Sequence, residues 1–183
     1  NDTWVVIPAY NEEKRIKGVI EKTKKYAGNI IVIDDGSKDN TYKIAVKSNV
    51  TVLKHIVNLG KGAALKTGCD YAVKNGAKKL IVLDADAQHD PEEIPKFIKN
   101  LNNSDIVFGY RQLNKEMPFI LKFGNWFIRL ITRALYNIDL KDTQSGYRAF
   151  TAEAYKKIKW NSCDYSMESE MVTKAGKHHL KYK

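Results

Sequence analysis

The chain has 183 residues, 43% hydrophobic and 28% charged, with a formal net charge of +10 at pH 7. This length suits one domain with a sizeable core and excludes a disordered chain, while two cysteines, Cys69 and Cys163, are too few for a disulfide framework and fit a reducing compartment. No signal-peptide pattern opens the chain and no apolar run nears the roughly 20 residues of a membrane span, so the positive balance leaves nucleic acid, an anionic membrane surface or a phosphorylated substrate as partner.

Short apolar runs alternate with helical patterns. Residues 3–8 (TWVVIP) read as a strand, after which Ile16, Val19, Ile20, Thr23 and Tyr26 recur on one helix face. A second strand spans 29–35 (NIIVIDD), and Ser37 or Asp39 is placed to cap a helix through Lys47. A third strand at 50–55 precedes a helix over 60–76, with Gly76 as its C-terminal stop. The fourth strand, 79–86 (KLIVLDAD), leads to a helix opened by Pro91, and the fifth spans 104–111. Strands alternating with helices predict an α/β fold, a mostly parallel central sheet with helices on both faces. Ligands of such sheets lie beyond the carboxyl ends of the strands.

Acids collect at those ends: PAYNEE after strand one, DDGS after strand two, DADAQHD after strand four. Asp34 and Asp35 are open to a plain turn reading, since Asp-Gly is a good turn dipeptide. Three acidic ends on one rim repel one another unless a cation or ligand lies between them. Asp84 and Asp86, alternate residues leaving a buried strand, suit a hard divalent ion such as Mg²⁺ or Mn²⁺, and Gln88 adds a neutral oxygen. GKGAALKT is not a phosphate loop, because Leu65 stands where the second glycine belongs. The first strand also lacks Gly-x-Gly-x-x-Gly, which argues against a dinucleotide oxidoreductase.

Taken in order, VVIPAYNEE, IVIDDGSKDNT, NLGKGAALKTG, LDADAQHDPEEI, FGYR and DTQSGYRAF resemble the family-2 glycosyltransferases, and among them the polyprenyl-phosphate (dolichyl-phosphate) hexosyltransferases. The resemblance implies a glycosyltransferase-A (Rossmann-like) fold, a nucleoside-diphosphate sugar such as GDP-mannose or UDP-glucose, and Mg²⁺ or Mn²⁺. By it, Pro8, Ala9, Tyr10 and Glu12 line the nucleoside pocket, Ile33 and Asp35 bound the base and ribose, and Lys61 lies near the diphosphate. Asp84, Ala85, Asp86 and Gln88 hold metal and diphosphate, and Arg111 contacts phosphate, so Asp86 and Arg111 carry the catalysis. The acceptor is a polyprenyl or dolichyl phosphate, which places the protein peripherally at the cytoplasmic face of a membrane.

Residues 1–111 form the nucleotide-sugar half in this reading and 112–183 the acceptor half. The stretch 117–140, with Phe123, Trp126 and Phe127 around Lys122, Arg129 and Arg133, reads either as buried core helices or as a helix pair in the membrane interface. Arg129 and Arg133, with Ser145, Arg148 and Glu170, are the residues for the acceptor phosphate. DTQSGYRAF reads as a loop before a helix from Thr151, and Glu168 and Glu170 first as ordinary exposed residues of a later helix. An acceptor other than a lipid also fits. A sugar-nucleotide pyrophosphorylase needs a glycine-rich basic loop where PAYNEEKR stands. A nucleic-acid module needs its lysines on one face, whereas here they are scattered and no nucleic acid is expected.

Overall fold

β-branched runs and amphipathic stretches resolve, in the computed structural model, into a mixed sheet with helices on both faces. The structure describes residues 2–109, 146–164 and 166–183. Strands β1 (Thr3–Ala9), β2 (Asn29–Asp34), β3 (Thr51–Lys54) and β4 (Lys79–Val82) are mutually parallel, connected by helices α1 (Ile16–Lys24), α2 (Thr41–Lys47) and α3 (Lys61–Lys74). A 3-10 turn (Pro91–Glu93) and α4 (Ile94–Asn100) lead to β5 (Ile106–Phe108). Then come β6 (Arg148–Thr151), α5 (Ala152–Ile158) and α6 (Ser166–Lys177).

The sheet order is β3-β2-β1-β4-β6-β5. Alternation along the strands divides the core in two. Val6, Ile31, Ile33, Leu80 and Val82 pack with α3, α5 and α6 on one face, while Ile7, Val32, Ile81 and Leu83 meet α1, α2 and α4 on the other. Each fully buried Ile, Val or Leu contributes roughly 1.5–3 kcal/mol, so the sheet is the main stabilising element. The helical periodicity of α1 is realised at Ile16, Val19, Ile20 and Thr23, all buried, while Tyr26 lies beyond the helix end. Gly76 ends α3 with φ +88°, the left-handed conformation glycine adopts without strain.

DTQSGYRAF departs from its loop reading. Arg148–Thr151 is a strand inserted between β4 and β5 and antiparallel to both. Four residues long and opening on an arginine, it has no apolar run to read as a strand. Arg148 is 1% exposed, its guanidinium lies 5.3 Å from the Phe108 ring centre, and it donates to the Glu168 carbonyl at 2.9 Å. Thr151 then caps α5, its side chain accepting from the Ala154 N–H.

The register brings the ends of β1, β2 and β4 to one rim, pairing Ala9 with Asp34 and Val6 with both Ile31 and Val82. β2 and β3 extend to one side of β1, and β4 begins the other. The connection order therefore reverses between β1 and β4, the switch point at which doubly wound sheets open a crevice. No helix among the described residues is long and apolar enough to cross a membrane.

Candidate active site

The loops leaving β1, β2 and β4 border a cleft of about 340 Å³ at that switch point. Its lining comprises Pro8, Ala9, Tyr10, Glu12, Asp35, Asn58, Gly60, Lys61, Ala64, Asp84, Ala85, Asp86 and Asp164. Sequence reading had not named Asn58, Ala64 and Asp164, which lie outside the acidic strand ends.

Much of the polar content of the first two motifs braces the loops. The Asn11 N–H donates to Ser37 Oγ (2.9 Å), Lys38 N–H to Asn11 Oδ1 (2.9 Å), Glu12 N–H to Thr41 Oγ1 (2.7 Å) and Glu13 N–H to Asp39 Oδ2 (3.1 Å). Side chains thus satisfy backbone donors that strand and helix leave open. Neither Ser37 nor Asp39 caps α2 as expected: Asn40 is at the cap, and Asp39 closes a local turn onto Thr41.

Asp35 is 3% exposed and anchors the far wall. Its Oδ1 lies 2.7 Å from His55 Nδ1 and accepts the Leu59 N–H at 3.0 Å, while Oδ2 accepts the Gly60 N–H at 2.9 Å. His55 Nε2 is 3.1 Å from Thr67 Oγ1 on α3. One carboxylate therefore fixes the 55–60 loop and presents its remaining acceptor capacity to the cleft. Gly36 (φ +72°) lets this loop close, since a Cβ there would lie 2.5 Å from the Val57 carbonyl carbon.

After β4 the acids face α3. Lys61 Nζ stands 2.8 Å from Asp84 Oδ1 and 3.0 Å from Oδ2, and donates to Glu168 Oε1 at 3.1 Å. Burial by itself would lower the Lys61 pKa, but the charges of Asp84 and Glu168 outweigh it and raise the ammonium above its ordinary 10.5. The Asp84 N–H donates to His89 Nδ1 (3.0 Å), which assigns the neutral ring's proton to Nε2, and His89 stacks on Tyr147 with centroids 5.0 Å apart. Asp86 Oδ1 accepts the Gln88 N–H at 2.9 Å. Gly146 completes the wall, because a Cβ there would come within 2.7 Å of Asp84 Oδ2 and 2.8 Å of Lys61 Nζ.

Among the described residues, no three His, Cys, Asp or Glu side chains gather as a metal cage. The candidate donors are Asp84 and Asp86, hard carboxylate oxygens that both line the cleft. That suits a small divalent ion whose other ligands are water and phosphate, the usual way Mg²⁺ is held.

Other residues named from sequence are placed elsewhere. Gln88 is exposed and does not line the cleft. Ile33 is fully buried in the α3-facing core, packed where Gly68 approaches the sheet, and is not among the cleft's lining residues. Arg148 is in the core as described. Glu170 accepts from the Asn161 N–H and from the Ser162 N–H and hydroxyl, and pairs with Lys174 at 2.7 Å, so it holds the 161–162 loop. Glu168, read as an exposed helix residue, is 3% exposed and borders the site through Lys61. Its signal was its position on the apolar stripe of Met171, Val172 and Ala175, three, four and seven residues on. Arg111, Arg129, Arg133, Ser145 and the 117–140 stretch lie outside the described residues.

Sheet order, switch-point cleft and paired aspartates after β4 define an α/β domain of the glycosyltransferase-A class. Within that class the chain belongs to glycosyl transferase family 2, whose model matches residues 4–159. A UDP-N-acetylglucosamine–dolichyl-phosphate N-acetylglucosaminyltransferase of Methanococcus voltae is 39% identical over 84% of this chain and 70% of its own length. A dolichyl-phosphate beta-glucosyltransferase of Trichomonas vaginalis is 34% identical over 85% of this chain and 55% of its own length. The Mycobacterium tuberculosis glucosyl-3-phosphoglycerate synthase, solved with Mn²⁺, UDP and glucosyl-3-phosphoglycerate, superposes with a TM-score of 0.76 at 21% identity, covering 96% of this chain and 65% of that one. This chain thus spans slightly less than two thirds of that solved structure, and the likeness is one of fold.

Proposed function

We propose that this domain catalyses inverting transfer of one hexosyl or N-acetylhexosaminyl group from a nucleoside diphosphate to a polyprenyl phosphate of the dolichyl type, at a membrane surface. The observation that carries the reading is the convergence of Asp84, Asp86 and Lys61 at the switch-point cleft, opposite the Asp35 wall. The names of the two relatives, both transferases to dolichyl phosphate, support the acceptor class.

Asp35 and Tyr10 border the nucleoside end, and Lys61 with the Asp84–Asp86 pair borders the diphosphate end. Asp84 and Asp86 would hold a divalent ion, which when bound supplies Lewis-acid neutralisation of charge on the departing diphosphate. A phosphate monoester has a second pKa of about 6, so the acceptor arrives largely dianionic. Such a nucleophile needs placement more than deprotonation, and alignment by itself can lower a barrier by about 7–11 kcal/mol. No side chain has to act as a base.

The sequence reading offered mannose or glucose, whereas the Methanococcus relative is named for N-acetylglucosamine. The test spans all three. The protein is incubated with UDP-N-acetylglucosamine, UDP-glucose or GDP-mannose, Mn²⁺ and a polyprenyl phosphate, and the extracted lipid is analysed by mass spectrometry and NMR. One donor is expected to yield a glycosyl-phosphate lipid with inverted anomeric configuration. Donor binding without a lipid product from any of the three would overturn the acceptor assignment.

A further inference from the structure

The loop that carries Asp84 and Asp86 is closed by a side chain from its own far end. β4 ends at Val82, and the Leu83 N–H still donates to the Val6 carbonyl of β1 at 3.2 Å. The next amide is bonded by a side chain instead: the Asp84 N–H donates to His89 Nδ1 at 3.0 Å. Asp84 Oδ2 is 3.9 Å from the same nitrogen, beyond hydrogen-bonding distance, so the ring holds Asp84 by its backbone and not by its carboxylate. The imidazole is itself held in place. Its side chain is 8% exposed and stacks on Tyr147, which directly precedes β6, at an interplanar angle of 27°. Tyr147 packs on Phe97 of α4 with centroids 4.4 Å apart and donates its hydroxyl to the Asp90 carbonyl at 3.1 Å.

Closing residues 84–89 in this way strains the backbone. Ala87, inside the turn, has φ +65°, the left-handed region that is unfavourable for a residue with a Cβ. Such a conformation persists only where the surroundings impose it. Two hydrogen bonds impose it here, Asp84 N–H to His89 and Gln88 N–H to Asp86 Oδ1. We infer that His89 is a positioning residue: its Nδ1 lone pair fixes the backbone from which the Asp84 carboxylate enters the cleft and, through the same closed turn, the aim of Asp86. This rests on the reading of those aspartates as divalent-ion ligands given under the proposed function. Ligands held in place beforehand lose less freedom on binding than ligands the ion must gather. The requirement is for one acceptor at the place of Nδ1, not for an aromatic ring.

Three variants separate the acceptor from the ring. In His89→Asn the amide oxygen takes the place of Nδ1, in His89→Gln it reaches the place of Nε2, and His89→Phe keeps the stack on Tyr147 with no acceptor. Two readouts are compared with wild type: hydrogen exchange of the Asp84 amide by NMR, and Mn²⁺ binding to the purified chain without nucleotide, by electron paramagnetic resonance of free Mn²⁺. Slow exchange is expected in wild type and His89→Asn, and fast exchange in the other two. Mn²⁺ affinity is expected to divide the same way, with His89→Asn near wild type and His89→Gln and His89→Phe weaker by about tenfold or more, the usual size of outer-shell effects. Circular dichroism checks each variant, and if His89→Phe fails to fold, His89→Asn against His89→Gln carries the same comparison. A packing role gives the opposite ranking, with His89→Phe like wild type and His89→Asn impaired. That ranking, or an Mn²⁺ affinity that does not separate His89→Asn from the other two, overturns the inference alone. If wild type itself takes up no Mn²⁺, the inference falls together with the metal reading.

Discussion

Asp86 uses one oxygen for the neighbouring Gln88 N–H and borders the cleft, whereas Asp35 carries His55, Leu59 and Gly60 on its two oxygens. Asp35→Ala therefore removes the acceptor of the Leu59 N–H, leaves the Gly60 N–H with Asn58 Oδ1, and frees the 55–60 loop. It is expected to cost on the order of 3 kcal/mol in urea unfolding and to weaken nucleoside diphosphate binding as well. An unchanged unfolding midpoint would show that the wall does not depend on this carboxylate. The two residues differ equally in how they read from sequence. Asp86 announces itself two residues after Asp84 at a strand end. Asp35 was legible as a rim acid, but its partner His55 is 20 residues away and no periodicity connects them. Glu168 lies farther still, and only its place on an apolar stripe marked it.

The glycines of GKG, at the start of α3, serve packing between elements. Cβ atoms at Gly60 and Gly62 would run into the backbone of 162–163, and the Gly62 N–H donates to the Cys163 carbonyl at 2.8 Å. Gly62→Ala must push that loop off α3 and is expected to lower stability by about 1–3 kcal/mol, read as a drop in Tm. A Tm equal to wild type would contradict this contact. Glu170 holds the same loop. Burial would raise its pKa, but Lys174 and the hydrogen bonds from Ser162 and Asn161 outweigh that and hold it at about 2, below the ordinary 4.5. A depressed carboxylate stabilises above its unfolded pKa, and that contribution is lost as pH falls from about 4.5 to about 2. Wild type should therefore lose stability more steeply than Glu170→Gln across that window, in urea midpoints taken at successive pH values; parallel slopes would count against it. At this scale the helices and β1 to β5 followed from periodicity and glycine stops. β6 did not, because it is four residues long and opens on an arginine.

For the molecule as a whole, the parallel sheet and the rim on which ligands collect were legible, since alternating strands and helices leave few ways to cover a sheet. What sequence could not supply was the return of the chain after residue 146. β6 joins the sheet between β4 and β5, and α6 brings Glu168 to the cleft, so residues of both halves build one site. Family 2 membership and the cleft together support the proposal that a nucleoside diphosphate binds at the switch point through a divalent ion on Asp84 and Asp86. Isothermal titration of UDP and GDP into wild type and Asp86→Ala, with and without Mn²⁺, tests it most directly. Wild type is expected to bind one of the nucleotides in Mn²⁺ and at least about tenfold more weakly without it. Asp86→Ala, losing one exposed hydrogen bond, should keep the wild-type urea midpoint within about 1 kcal/mol yet show no Mn²⁺-dependent binding. Equal affinity in all four conditions would contradict it.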